Sequence, residues 1–176
     1  MVKLTTITRM LSIVLGISVV ISSVQLALLH RTQEERFIDK DETARFIENQ
    51  LSCLAKNIYW EAANEPFEGK VAVAQVTLNR VRSDDFADSV CGVVYQKNTF
   101  NKKTVCQFSW YCERNHLVKR VHESLYKESM EVAKMVYLEG FKLKVIDNAL
   151  YYHADYVNPG WKKQKITKIG RHIFYA

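Results

Sequence analysis

Met10 to Leu29 is a run of 20 residues without a charge, with Lys3 and Arg9 before it and His30 and Arg31 after it. No other feature constrains the chain as strongly, because an uncharged stretch of this length can cross a bilayer as one helix. A cleaved signal peptide would normally have a shorter apolar core ending in small residues. Gln25-Leu-Ala-Leu-Leu-His30 contains no Ala-x-Ala site, so residues 1–30 are expected to form an uncleaved signal anchor that meets the membrane through residues 10–29. Flanking charges orient it weakly, since Arg31 and Arg36 offset Lys3 and Arg9. The orientation favoured is single-pass, with the C-terminal part on the extracytoplasmic side. Release after cleavage or exit of the segment is the alternative, because Ser12, Gly16, Ser18, Ser22, Ser23 and Gln25 dilute its apolar character.

Residues 31–50 are charged and contain neither Pro nor Gly. Arg31 to Lys40 reads as a linker, and Asp41 as the cap of a helix carrying Phe46, Ile47 and Leu51. Residues 51–176 remain as one domain. Its cysteines, Cys53, Cys91, Cys106 and Cys112, lack the paired C-x2-C spacing of a structural zinc site. An even number on the outer side of a membrane fits two disulfides. Three pairings are possible, of which Cys53–Cys91 with Cys106–Cys112 is favoured; in a cytoplasmic domain all four would be free thiols. From residue 51 on, 19 Lys and Arg stand against 13 Asp and Glu. The excess is spread along the chain with no basic block or nucleic-acid motif, so no nucleic-acid partner is expected. A basic enzyme acting on an anionic wall or near anionic lipid explains the charge equally well.

Leu51, Leu54, Ala55, Ile58 and Ala62 recur at helical spacing. At 100° per residue Glu61 falls on the flank of that stripe, beside Leu54 and Ile58. A carboxyl group half-turned toward a core has its charged form desolvated, and a general acid needs that. Asn64 is a weak helix former and Pro66 disfavours helical geometry at Glu65, so Glu61 sits in a last helical turn, where a cleft can open. Beyond Gly69, Lys70 to Val81 is almost wholly apolar and reads as a buried helix, with a strand as the alternative. Asp84 to Gln96 reads as a loop leading into a short helix, and Asn98 to Asn115 as irregular structure or short strands. Leu117 to Glu139 is an amphipathic helix ended by Gly140. Ala149–Ala154 and Ile166–Tyr175 are strand candidates separated by the Asn158-Pro-Gly160 turn. Helices first and a small β element late make the fold class α+β.

The stretch from Asn57 through Trp60-Glu61-Ala-Ala-Asn-Glu-Pro66 to Val81 resembles the opening of the catalytic domain of SleB/CwlJ-type cell-wall hydrolases, the spore-cortex-lytic enzymes and their relatives. Four further blocks follow in the same order. They are Val90-Cys-Gly-Val-Val-Tyr-Gln96, Cys106-Gln-Phe-Ser-Trp-Tyr-Cys112, Tyr151-Tyr-His-Ala-Asp-Tyr-Val-Asn-Pro-Gly-Trp161 and Ile169-Gly-Arg-His-Ile-Phe-Tyr175. Five ordered blocks are far more specific than one motif. Where such relatives often have Gly or Phe before the Glu and Arg-Gly after the Ala, this chain has Trp60 and Ala63-Asn64, which reads as variation in a groove wall. The resemblance implies a mainly helical, lysozyme-like or lytic-transglycosylase-like domain with the catalytic carboxylate at a helix end facing a sugar groove.

Cleaving a glycosidic bond requires a proton for the leaving oxygen, and hydrolysis requires a second carboxylate as nucleophile or base. Glu61 is the expected acid. Asp155, Glu65 and Glu68 are the carboxylates inside the motifs, and none is an obvious partner; Glu65 and Glu68 read as helix-end charges. The family offers a route needing only one carboxylate, in which the 6-hydroxyl of muramic acid attacks and a 1,6-anhydro product forms. Gln107, Ser109, Tyr151, Tyr152, His153, Asp155 and Trp161 are the substrate-binding candidates, with His153 orienting substrate or Glu61 and His172 structural. Strand alternation must send some of the aromatics into the core. The expected activity is cleavage between N-acetylmuramic acid and N-acetylglucosamine in peptidoglycan glycan strands, without metal or organic cofactor. The rivals are a water-using muramidase, including a phage-type signal-anchor endolysin, a non-catalytic wall-binding envelope protein, and a zinc amidase.

Overall fold

The computed structural model describes residues 2–100, 102–113 and 120–176. The chain forms two compact units, Met1–Phe46 and Ile47–Ala176. The first consists of the leading part of helix α1 (Val2–Ala62). Its large apolar side chains among those described are exposed, Leu15 and Leu29 by 61% each, and by length and composition the helix can cross a membrane. The segment expected to be a linker, Arg31 to Lys40, is helical. No Pro or Gly interrupts the chain between Gly16 and Pro66, so nothing terminates the helix there. Asp41 accordingly lies inside the helix, paired at i,i+4 with Arg45 at 3.0 Å, and is not a cap.

In the second unit the end of α1 buries Leu54, Ala55, Ile58 and Ala62, the stripe the spacing predicts. Helix α2 (Phe67–Val81) follows. Val71, Ala72, Val73 and Ala74 are fully buried; four consecutive residues cover every face of a helix, so α2 runs through the interior. Around it stand α3 (Val90–Val94), capped by the Ser89 hydroxyl accepting from Gly92 N–H at 3.2 Å, and α4 (Ser109–Cys112). The amphipathic segment forms α5 (Glu123–Tyr137), while Leu117, the first residue of its expected span, lies outside the described residues. A hairpin of β1 (Lys97–Phe100) and β2 (Lys103–Cys106) precedes α4.

The late β element is a three-stranded antiparallel sheet of order β3-β5-β4, from β3 (Tyr151–Ala154), β4 (Lys165–Ile169) and β5 (His172–Tyr175). The second strand candidate is thus two strands, folded back at Gly170-Arg171, with Ile169 paired to His172. Gly170 has φ +56°, as the first residue of such a two-residue turn requires. The turn is also gripped from outside: Glu65 Oε2 accepts the Arg171 N–H at 2.8 Å, and a Cβ at Gly170 would run into that carboxylate. Glu65, read from the sequence as a helix-end charge, therefore fastens the β4–β5 turn to the end of α1. Phe174 of β5 is buried with Ala72 and Val76 of α2 and with Ile146 and Ala149, which seats the sheet against the central helix.

Gly170→Ala combines a left-handed backbone penalty with a clash at a packed carboxylate. It is expected to cost about 2–4 kcal/mol in urea unfolding; a loss below about 0.5 kcal/mol would show that the turn relaxes freely.

Candidate active site

Glu61 lies in the last turn of α1, partly buried, where the chain leaves the helix toward Pro66. Its Oε2 accepts a hydrogen bond at 3.0 Å from the hydroxyl of Tyr152, which β3 presents from across the cleft. The cleft has a volume of about 470 Å³ and is lined by Trp60, Arg80, Gln107, Phe108, Ser109, Trp110, Glu113, Tyr152, His153, Tyr156 and His172 beside Glu61. A second cleft of about 410 Å³ shares Trp60, Glu61, Ala154, Tyr156 and His172 and continues to Asn64, Glu65 and Arg171. Glu61 is thus common to two adjoining depressions, an arrangement suited to an extended ligand passing the carboxyl group. Trp60 and Trp110 stack at 6.1 Å and 21°, forming one wall.

The wall carrying Gln107 to Trp110 is closed by the Cys106–Cys112 disulfide, while Cys53–Cys91 joins α1 to α3. The opposite wall is held from α2. The Arg80 Nε–H donates to Leu150 O at 2.8 Å, just before β3 begins, and its guanidinium lies 5.3 Å from the Phe86 ring centroid and 5.0 Å from that of Phe108.

Burial dominates the electrostatics of Glu61 and raises its pKa from 4.5 to about 7; the Tyr152 hydrogen bond and the Arg80 charge oppose the rise, and Glu113 adds to it. Burial likewise pushes the Tyr152 hydroxyl well above its usual value, reinforced by Glu61. Tyr152 therefore stays protonated and donates. A carboxyl group that titrates near neutrality and opens to a cleft can deliver a proton and then take one back.

A profile of the cell wall hydrolase family matches residues 64–175. The chain belongs to that family. The match begins just after Glu61, which stands outside the matched residues. The family's spore cortex-lytic enzyme of Oceanobacillus iheyensis is 33% identical over 132 residues, spanning 73% of this chain and 42% of the relative. That of Bacillus subtilis is 31% identical over 137 residues, spanning 73% of this chain and 38% of the relative. The chain therefore spans less than half the length of these relatives. Two solved structures share the fold of this cell wall hydrolase: the catalytic domain of Bacillus cereus SleB and that of the germination-specific lytic transglycosylase SleB from Bacillus anthracis. Each is 29% identical with a TM-score of 0.54 over 73% of this chain, and the overlap takes in 91% and 94% of the solved domains respectively.

Of the candidate residues, Gln107, Ser109, Tyr152 and His153 line the Glu61 cleft; among its described lining residues Tyr151, Asp155 and Trp161 do not occur. Strand alternation explains the split between Tyr151 and Tyr152. Tyr152 faces Glu61, whereas Tyr151 packs against Phe86 and Trp161 with Lys163 Nζ 3.4 Å above its ring. Trp161 sits on His153 and Tyr175 as well. The ring of His153 is turned to the same side: its Nδ1 donates to the carbonyl oxygen of Ala154 at 2.9 Å, and its Nε2 shares a hydrogen bond with the Tyr175 hydroxyl at 2.9 Å. Asp155 pairs with Lys168 at 2.8 Å and Arg171 at 3.6 Å. The Lys168 bond first of all holds its carboxyl below the usual range, so Asp155 is a fixed anion engaged at the hairpin.

Sequence reasoning missed Arg80 and Glu113 and undervalued His172, which lines both clefts edge-on to Tyr152. An arginine within an otherwise apolar helix was the available signal for Arg80. Glu113, just beyond the disulfide loop, carried none.

Because the folded protein holds the Glu61 proton more tightly than the unfolded chain does, this group contributes stability that is complete below pH 4.5 and lost as pH rises to about 7. Glu61→Gln removes the dependence. Relative to wild type, the variant is expected to gain about 3 kcal/mol between about pH 4 and pH 8 in urea unfolding. Parallel pH curves for the two proteins would refute the raised pKa.

Proposed function

We propose that this protein cleaves the glycan strands of peptidoglycan between N-acetylmuramic acid and N-acetylglucosamine as a lytic transglycosylase, with Glu61 as acid and then base. The observation that carries the reading is the Glu61 carboxyl itself: near-neutral in titration, hydrogen-bonded by Tyr152, and shared by two adjoining clefts. Membership of the cell wall hydrolase family and the likeness to a domain described as a lytic transglycosylase support it. In this mechanism Glu61 protonates the glycosidic oxygen as the C1–O bond breaks. The resulting carboxylate then takes the proton of the muramic acid 6-hydroxyl as that oxygen bonds to C1, leaving a 1,6-anhydro end and restoring the acid. Gln107 and Ser109, on the disulfide-closed wall, are positioned to hydrogen-bond sugar or peptide groups. The scaffold belongs to this proposal as a lysozyme-like one, its acid at a helix end over a groove.

One observation favours a second reading. Glu113 lines the same cleft and acts electrostatically on Glu61, so the site contains a further carboxylate that could activate water, as a muramidase requires. The anhydro end separates the two reactions.

The α1 segment Met10–Leu29 acts, in this proposal, as a signal anchor that keeps the catalytic domain on the extracytoplasmic side. The apolar helix and the two disulfides, which persist in oxidising compartments, support this placement.

The test is mass spectrometry of products from purified sacculi incubated with full-length protein in detergent. Wild type is expected to release anhydro-muropeptides, and Glu61→Gln to lose about 10²–10⁴-fold in rate. Glu113→Gln is expected to retain the anhydro product. Reducing-end muropeptides that disappear in Glu113→Gln would establish the muramidase instead, and wall binding without release by any variant would remove the enzymatic reading.

A further inference from the structure

Arg80 is 6% exposed, and among the described residues its Nη1 is one of two buried side-chain polar atoms without a hydrogen-bond partner, the other being His172 Nδ1. Both residues line the Glu61 cleft. A buried guanidinium with an unsatisfied N–H carries a desolvation cost, and replacing a buried charged group by a packed apolar side chain is often neutral or favourable. Packing alone therefore gives no reason for a cation here. The Nε–H bond to Leu150 O and contact with the Phe86 and Phe108 rings fix the guanidinium in place. Phe108 belongs to the cleft wall and Leu150 precedes the strand that carries Tyr152, so the cation is tied to both sides of the site.

We propose that Arg80 is a positioning residue for the Glu61 proton, a fixed buried cation that stabilises the carboxylate left after Glu61 has protonated the leaving oxygen. It acts through Glu61. The inference rests on the reading of Glu61 as acid and base given above. The step is a proton transfer alone: the proton passes from Glu61 to the glycosidic oxygen, negative charge appears on Glu61 in a poorly hydrated cleft, and the Arg80 field offsets it until the second proton arrives. The titratable groups lining the cleft with the pair are Tyr152 and His153 on β3, Tyr156 after it, Glu113 after α4 and His172 on β5, while Tyr151 acts on Arg80 from the other face of β3. Tyr152 and Arg80 favour the Glu61 anion and Glu113 disfavours it. Arg80 itself is influenced first by burial, then by Tyr152, Glu61 and Tyr151, and burial holds His172 below its ordinary value, so Arg80 supplies the cation.

The experiment compares wild type, Arg80→Lys and Arg80→Met as full-length proteins in detergent. Because methionine in place of a buried guanidinium can cost folding, Arg80→citrulline, introduced by stop-codon suppression, is the second neutral variant. It preserves the Nε–H donor and the planar shape, removes the charge, and exchanges one terminal NH2 for a carbonyl oxygen. Two quantities are read: the carboxyl ¹³C titration midpoint of Glu61, which needs no turnover, and the pH profile of muropeptide release. In the neutral variants the midpoint and the alkaline limb are expected to move up together by about one to three pH units. The rate on the acidic plateau falls about tenfold. Arg80→Lys is expected to remain within about half a unit of wild type, since the charge is kept. An unchanged midpoint in a folded neutral variant overturns the proposal, even if the rate falls, because a purely structural role lowers amplitude without moving the titration. A wild-type protein that releases no Glu61-dependent product overturns the reading of the reaction instead, while the midpoint still decides whether Arg80 sets the charge of Glu61.

Discussion

The position of the site depends on a helix that has no outer face. Since α2 is buried along most of its length, its polar side chains must find partners inside the protein, and Gln75, Asn79 and Arg80 find them in the stretch before β3, a single 3-10 turn (Lys144–Ile146) and its flanks. Gln75 donates to Leu143 O and Ile146 O and accepts from Leu143 N–H; Asn79 donates to Ala149 O, and Arg80 to Leu150 O. These bonds fix an irregular backbone that has no ladder of its own. β3 starts one residue later, and Tyr152 arrives opposite Glu61. The same logic operates on the other side of α2. Asn57, fully buried on α1, donates to Thr77 and accepts from Trp110 Nε1–H at 3.0 Å, joining α1, α2 and α4 through one side chain. Glu61, its hydrogen-bond donor and the tryptophan wall are thus all located by polar contacts made from, or across to, one buried helix.

A raised pKa at Glu61 follows from this architecture and needs no separate device. The helix end brings the carboxyl group to the edge of the core, where burial penalises its charge. Burial alone would make a carboxyl group that holds its proton too firmly to give it up. Tyr152 and Arg80 pull in the other direction, and the balance lies near neutrality, where one group can serve as acid and then as base. Glu113 pushes the opposite way and belongs to the segment closed by the short disulfide, so the balance also depends on how that wall is held.

Much of the interior was legible from the residues. The stripe Leu54, Ala55, Ile58 and Ala62, the buried run from Val71 to Val76, and the helix end at Pro66 are statements about periodicity and backbone sterics, and short-range physics decides them. Arg31 to Lys40 is charged like a linker yet helical, because no helix breaker occurs between Gly16 and Pro66. The last strand candidate was read as one piece because Gly170 looks like a tolerated strand glycine until Glu65, more than a hundred residues earlier, is seen to close on the turn. The site divided in the same way. The placement of Glu61 in a last helical turn, on the flank of the apolar stripe, was legible because its own helix sets it. The aromatics around Trp161 could not be sorted, because which face of β3 meets Glu61 depends on pairing with β5 and on the seating of Phe174 against α2.

The two disulfides act at different ranges, and the difference bears on the compartment. Cys53–Cys91 spans 38 residues and Cys106–Cys112 only 6. By loop-closure entropy the first is worth roughly 4 kcal/mol and the second roughly 2 kcal/mol. The first ties together α1 and α3, elements already joined through the main core, so it adds stability to a fold that packing has specified. The second closes a short segment that alternates between the main core, entered by Phe108 and Trp110, and the cleft wall, to which Gln107 and Ser109 belong. For Gln107 and Ser109 the covalent link adds to the anchoring that buried Phe108 and Trp110 provide. A cleft wall held in part by this bond is at full strength only where thiols are oxidised, and that condition supports the extracytoplasmic placement proposed above.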